Sequence, residues 1–254
     1  MYASLSMMPA MFLAGGSKLA RMNDSRDVHE QQIIRSWNTN AKPWARAIQA
    51  GSIRSRKLVT DKAIVDAVVG VNPSRVLDLG CGEGWLARAL SRSGMKVTGI
   101  DAVPELVAEA VRLGEAEFQV CDYGSIAARR WHSGPFAAAV CNFSLLGKES
   151  VESLLGGLGN YLEESGYFIV QTLHPVCACG DHPYQDGWRP GNWLGFSAEF
   201  SDPAPWYFRT LESWWTMLRR SGFEVQDCRE PTAPAATAPA SIIFICKARV
   251  REQT

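Results

Sequence analysis

The stretch Val76-Leu77-Asp78-Leu79-Gly80-Cys81-Gly82-Glu83-Gly84-Trp85-Leu86 constrains the fold more than any other part of the chain. A short apolar run passes directly into three alternating glycines and then into a segment of helical periodicity. Glycines in that place permit a tight strand-to-helix turn and let a ligand approach bare main chain. The same alternation continues along the chain. Strands are predicted at Arg75 to Leu79, Met95 to Ile100, Glu117 to Cys121, Ala137 to Cys141, Tyr167 to Thr172, Phe223 to Cys228 and Ser241 to Lys247. Helices are predicted at Trp85 to Arg92, Pro104 to Leu113, Glu149 to Glu164 and Leu211 to Arg220. Such alternation means an α/β fold with a parallel sheet and crossover helices.

Two further helical stretches, Ile33 to Gln49 and Arg56 to Val69, precede the sheet and are expected to cap its carboxyl edge. Residues 1–30 read as a flexible extension and 31–250 as a single domain, with 31–70 as the cap helices and 174–208 as an insert after the fifth strand. The spacer Pro231 to Ala240, rich in Pro and Ala, reads as an exposed connection.

Charge narrows the partners. With 26 Lys and Arg against 26 Asp and Glu there is no basic field to gather a polyanion, so a nucleic-acid partner is not expected. No apolar run reaches the ~18–20 residues that span a bilayer. The apolar stretch Ser6 to Gly16 precedes its first basic residue, Lys18, the reverse of a signal peptide. Seven cysteines, an odd set of which three end apolar runs, fit a reducing cytoplasm.

The spacing of the loop is G-x-G-x-G, with Trp85 where a dinucleotide fingerprint would need its third glycine. A pyrophosphate would want no carboxylate nearby, whereas Asp78 precedes this loop and Glu83 sits in it. Two carboxylates suit a cationic ligand. The acid Asp101 ends the second predicted strand, Asp122 follows the third, and Asn142 follows the fourth. Each alone has a plainer reading as a cap or turn residue. Their recurrence in order at the carboxyl ends of one sheet points to a nucleotide-type cofactor.

On these residues the chain resembles the class I S-adenosylmethionine-dependent methyltransferases from about Arg75 to Lys247. The resemblance implies a Rossmann-like, doubly wound seven-stranded sheet of order 3-2-1-4-5-7-6 with the last strand antiparallel, and an aromatic-rich insert after strand five. It implies S-adenosyl-L-methionine as the cofactor. Asp78, Gly80, Cys81, Gly82, Gly84 and Trp85 would surround the methionine part, Asp101 and Ala102 the ribose, and Asp122 and Tyr123 the adenine. Asn142 and Phe143 would line the side toward the substrate. In the N-terminal helices Arg56 is the candidate partner for the cofactor carboxylate.

The acceptor side is marked by aromatic density. Ten aromatic residues fall between Tyr184 and Trp215, where an even spread of the chain's nine Trp, six Tyr and ten Phe would put about three. Half or more of such rings can be core, but an aromatic wall for a small aromatic or apolar acceptor, methylated at O, N or S, is the favoured reading. His174, Tyr184 and Tyr207 are the candidate bases there. The spacing His174-x2-Cys177-x-Cys179-x2-His182 is unlike the common zinc patterns, and no metal is expected. The competing readings are a tRNA or other nucleic-acid methyltransferase, a nucleotide-binding oxidoreductase, and a cofactor-binding regulator without turnover.

Overall fold

The computed structural model describes residues 16–249, with side chains from residue 28 onward. The long helix α1 (Gly16–Gln49) is followed by a π-helical turn (Arg56–Thr60) that runs on into α2 (Asp61–Gly70). Then come β1 (Arg75–Leu79), α3 (Trp85–Arg92), β2 (Lys96–Asp101), α4 (Pro104–Leu113), β3 (Glu117–Val120), α5 (Tyr123–Ala127) and β4 (Phe136–Asn142). The rest is α6 (Glu149–Leu158), β5 (Leu162–Thr172), α7 (Pro175–Ala178), β6 (Gly187–Arg189), β7 (Trp206–Phe208), α8 (Leu211–Arg220), β8 (Phe223–Arg229) and β9 (Ile242–Ala248).

Seven strands form one sheet of order β3-β2-β1-β4-β5-β9-β8, and β6 and β7 form a separate two-stranded ribbon. The first five pair in parallel, while β9 is antiparallel to both β5 and β8. Counting the main sheet alone, this is the expected order 3-2-1-4-5-7-6 with the last strand reversed.

The central strands are buried on both faces, which is why they read as unbroken apolar runs. Side chains alternate across the sheet. Leu77, Leu79, Cys141, Phe168 and Phe244 pack with α5, α6 and α8, whereas Val76, Val140, Ile169 and Ile243 pack with α2 and α3.

Three local readings need correction. Residues 16–30, expected as part of a flexible extension, belong to α1, while residues 1–15 of that extension lie outside the described residues. The reason is long-range: Glu30 Oε1 accepts the Lys148 and Ser150 N–H groups at the start of α6 (2.8 and 3.3 Å), and Glu30 Oε2 accepts the Ser150 hydroxyl (2.7 Å). Helix α6 ends at Leu158 rather than Glu164, where a Gly-rich run leads into an early start of β5 at Leu162. The stretch expected as a helix from Arg56 begins as a π-helical turn, a distortion common at functional sites.

Candidate active site

The site is built at the carboxyl ends of β1, β2 and β4, where the chain order reverses and crevices open in such sheets. The glycine loop leaves β1 and folds over the end of β2, with the Gly80 and Cys81 N–H groups both donating to the Ile100 carbonyl (2.8 and 3.0 Å). Gly80, Gly82 and Gly84 all have positive φ, at 73, 56 and 81°. Glycine is required at Gly80 for a second reason: a Cβ there would stand 2.4 Å from Ser144 Cβ and 2.9 Å from the Tyr123 hydroxyl. Ser144 itself donates to the Leu79 carbonyl at 2.7 Å, so the segment after β4 braces the loop where it begins.

Asp78 is 1% exposed and lies on the α2 and α3 side of the sheet, with its Oδ2 lacking any partner. Burial, with the Asp101 charge adding to it, pushes its pKa up to about 8. A cationic group is what this carboxyl lacks. Register sets Asp78 opposite Val140, two residues before Asn142, and Asn142 opposite Gln171. Asn142 Oδ1 and Gln171 Oε1 are also buried and unpartnered. Three acceptor oxygens without donors therefore occupy neighbouring strand ends on one face, which is a poor core and a good cradle for a ligand rich in positive charge or N–H groups. Burial also raises the Cys81 thiol, with Asp78 adding to the effect, so it stays protonated.

Glu83, expected as a second carboxylate for a cation, is instead fully buried and bound to Arg88, whose Nη2 donates to Oε2 at 2.5 Å and whose Nη1 donates to the Glu83 carbonyl at 2.6 Å. Asp101 is held from two sides: Gly82 N–H donates to Oδ2 and Val103 N–H to Oδ1, both at 2.9 Å. Burial raises its pKa despite those bonds. Asp122 caps α5, accepting the Ser125 N–H at 2.6 Å. With Ala102, Cys121, Arg130 and Trp131 it also lines a cavity of about 290 Å³ beyond the ends of β2 and β3. The Tyr123 hydroxyl donates to the Ser144 carbonyl at 3.3 Å, and Phe143 turns the chain with φ 54°.

Arg56 opens the π-helical turn. Its guanidinium lies 4.4 Å from the ring centroid of Trp85, the residue after the glycine loop, and its Nε donates to Asp61 at 2.8 Å. Its Nη2 is buried and unpartnered, as is Thr60 Oγ1 in the same turn.

Above the loop, α1 and the insert meet in an aromatic cluster. Trp37 makes edge contacts with Trp44 and Trp193, Trp44 stacks on Phe196, and Trp193, Phe196 and Phe200 pack on one another. Trp44 Nε1 comes within 3.7 Å of where a Gly82 Cβ would stand. Asn40, fully buried in α1, locks the junction by donating to the Ser201 carbonyl (2.7 Å) and accepting the Ser201 N–H (3.0 Å). Asn40 and Ser201 were not legible as a pair, since nothing local marks residues 161 positions apart.

The three candidate bases do not converge. The Tyr184 hydroxyl accepts the Leu211 N–H at the start of α8 (3.0 Å). Tyr207 lies in β7 between the Arg209 and Lys148 cations, 4.8 and 5.6 Å from its ring centroid, and burial raises its phenol although both cations oppose the shift. His174 follows β5, is 5% exposed, and has its Nε2 2.6 Å from Glu230 Oε1. Glu230 carries no sequence signal that would have singled it out. The Cys179 thiol donates to the His182 carbonyl at 2.9 Å, and among the described residues no three His, Cys, Asp or Glu side chains converge as metal ligands.

A sequence model of a methyltransferase domain matches residues 53–227, more than half of the chain. The chain therefore belongs to the methyltransferase-domain family. It is 34% identical over 156 residues to a ubiquinone biosynthesis O-methyltransferase of Xanthomonas campestris pv. campestris, a match covering 51% of this chain and 64% of that one. A protein of the same name from Xylella fastidiosa is 28% identical over 151 residues, covering 50% and 61%. These matches span less than two thirds of the relatives' own length. Among solved structures, magnesium protoporphyrin IX methyltransferase from Synechocystis shares the fold with a TM-score of 0.60 at 17% identity, covering 86% of this chain and 99% of that one. The 1,6-didemethyltoxoflavin-N1-methyltransferase of Burkholderia thailandensis gives 0.55 at 16% identity, covering 95% and 93%.

Proposed function

We propose that this methyltransferase domain moves the methyl group of S-adenosylmethionine to a small aromatic or apolar molecule. The observation that carries the reading is the aromatic cluster of Trp37, Trp44, Trp193, Phe196 and Phe200, which reaches the glycine loop through Trp44, whose Nε1 stands 3.7 Å from where a Gly82 Cβ would be. Rings in that position favour a flat or apolar acceptor over a polyanion, and the balanced charge favours it too. The O-methyltransferase names of the sequence relatives support an oxygen acceptor.

The residues present fit the cofactor. The unpartnered Asp78 Oδ2 suits its ammonium, Arg56 Nη2 suits its carboxylate, and Gly82, where a Cβ would meet nothing nearer than Trp44 Nε1 at 3.7 Å, leaves room for main-chain contact. Trp85 holds Arg56 by its ring face. Asp101 suits the ribose hydroxyls beside Ala102, and Asp122 and Tyr123 the adenine, with Asn142 and Phe143 toward the acceptor. When bound, the cofactor supplies an electrophilic methyl on a sulfonium sulfur. The chain supplies position and a dry cover. Methyl transfer is an in-line displacement in which charge disappears, so alignment of the acceptor against the methyl group gives most of the rate. A cytoplasmic location is part of the same proposal, supported by seven unpaired cysteines. Among the described residues no helix is long and apolar enough to cross a membrane.

The test is transfer of radiolabelled methyl from S-adenosylmethionine to a panel of hydroxylated aromatics, with tRNA as the contrast. Turnover of a small acceptor is the expected result. Labelling of tRNA alone would overturn the acceptor reading.

A further inference from the structure

We propose that Gln171 determines which acceptor is methylated: its Oε1, beside Asn142 Oδ1, accepts a neutral O–H or N–H that the acceptor carries next to the methylated atom. This rests on the small-acceptor reading above. On the α2 face of the sheet Val140 and Ile169 belong to an apolar cluster, and two residues further along the same strands, on the same face, stand Asn142 and Gln171. The two are partners in register, so their side chains rise side by side from strands about 4.8 Å apart. Gln171 is 1% exposed, and its Nε2 donates at 3.0 Å to the Oγ of Ser241, which is fully buried just before β9. That bond fixes the amide. With Nε2 drawn to β9, Oε1 is turned to the opposite side, where β4 and Asn142 lie. Neither Gln171 Oε1 nor Asn142 Oδ1 has a donor, a state that costs free energy unless a ligand supplies one.

What covers these oxygens ties them to the glycine loop. Thr60, buried and with an unpartnered hydroxyl, ends the π-helical turn one helical turn before Ile64, a member of the same apolar cluster as Val140 and Ile169. The turn opens at Arg56, whose guanidinium lies over the ring of Trp85. One π-helical turn therefore reaches from the end of the glycine loop to the ends of β4 and β5. There the chain after β4 leaves the sheet: Phe143 turns with φ 54° while its N–H still donates to the Gln171 carbonyl at 2.8 Å. Asp78, proposed above for the cofactor ammonium, pairs in register with Val140. Asn142 and then Gln171 lie beyond it, on the side away from Asp101 and Asp122, which leaves them to the acceptor.

Amide oxygens accept and carry no charge, so the pair suits a neutral donor rather than an anion or a second cation. A ring with a hydroxyl or amino group next to the methylated oxygen offers such a donor. A ring without one leaves the buried oxygens unpaired, which is how a polar site rejects an analogue that fits it in shape.

The test compares catechol with guaiacol and phenol, which lack the second donor, using the full chain and labelled S-adenosylmethionine. The parent should use catechol at least about tenfold better in kcat/KM. Gln171→Met, similar in shape, should bring catechol down to the level of the other two, with KM for the methyl donor and turnover of guaiacol unchanged. Gln171→Glu keeps an acceptor oxygen in place, lets the Ser241 hydroxyl donate to the other, and should retain the preference. Ser241→Ala frees the amide and should weaken it. A parent without the preference, Gln171→Met that keeps it, or Gln171→Met that loses affinity for S-adenosylhomocysteine instead would each overturn the proposal. Side-chain amide NMR of the parent with S-adenosylhomocysteine needs neither a folded variant nor turnover. Catechol should shift the Gln171 signal and guaiacol should not, and a Gln171 signal that catechol leaves unmoved overturns the proposal. Labelling of tRNA alone would overturn the small-acceptor reading as well, and absence of S-adenosylhomocysteine binding the cofactor reading beneath both.

Discussion

Asp78 is the residue on which the electrostatics of the site turn. Its pKa in the folded chain, about 8, lies above the ordinary carboxyl value of 3.8. Between those values the folded chain holds a proton that the unfolded chain has lost, so this group's contribution to stability falls as pH rises from about 4 to about 8. Asp78→Asn is neutral throughout. Ligand-free melting should therefore find the variant gaining on the parent as pH goes from 5 to 8, by no more than about 1.4 kcal/mol per pH unit. The same variant should bind S-adenosylmethionine at least tenfold more weakly, since the cation loses its carboxylate. A pH-independent difference in melting would contradict the raised pKa. Gly80 is a sharper steric case. Gly80→Ala forces a side chain onto φ 73° and into Ser144 Cβ at 2.4 Å, and should cost about 1–3 kcal/mol in stability with a matching loss of cofactor affinity. The loop itself was legible in sequence because strand, glycines and acid are contiguous. Glu83 was not, since its neutralising partner, Arg88, lies a helical turn onward and reads equally well as a solvated residue.

At the scale of elements, the cap is the piece that sequence described least well. The N-terminal half of α1 lacks an apolar stripe, and its end is fixed by Glu30 bonding to residues about 120 positions away. The ribbon of β6 and β7 has strands of three residues each, too short to announce themselves by alternation. Yet cap and insert depend on each other. Asn40→Ala leaves the Ser201 N–H without a partner and its carbonyl with the Trp193 indole N–H alone, and should lower stability by about 1–3 kcal/mol. Limited proteolysis should then cut sooner between residues 184 and 204, and S-adenosylhomocysteine should dissociate faster. Unchanged proteolysis and dissociation would mean that the junction does not hold the cover down.

For the whole molecule, the seven-stranded order followed from the alternation of strands and helices together with the family resemblance, and the structure has that order with β9 reversed. Strand positions were legible because buried parallel strands are continuous apolar runs bounded by helices. The acceptor side was legible only as aromatic density, because its geometry depends on contacts between α1 and the insert that no local pattern encodes. Asp78 and the loop around Gly82 are proposed to hold S-adenosylmethionine at the end of β1. Calorimetric titration of the full chain measures this most directly. S-adenosylmethionine and S-adenosylhomocysteine should bind at one site with about micromolar Kd, and NAD should give no heat. Tight binding of NAD with no response to either sulfur nucleoside would contradict the account.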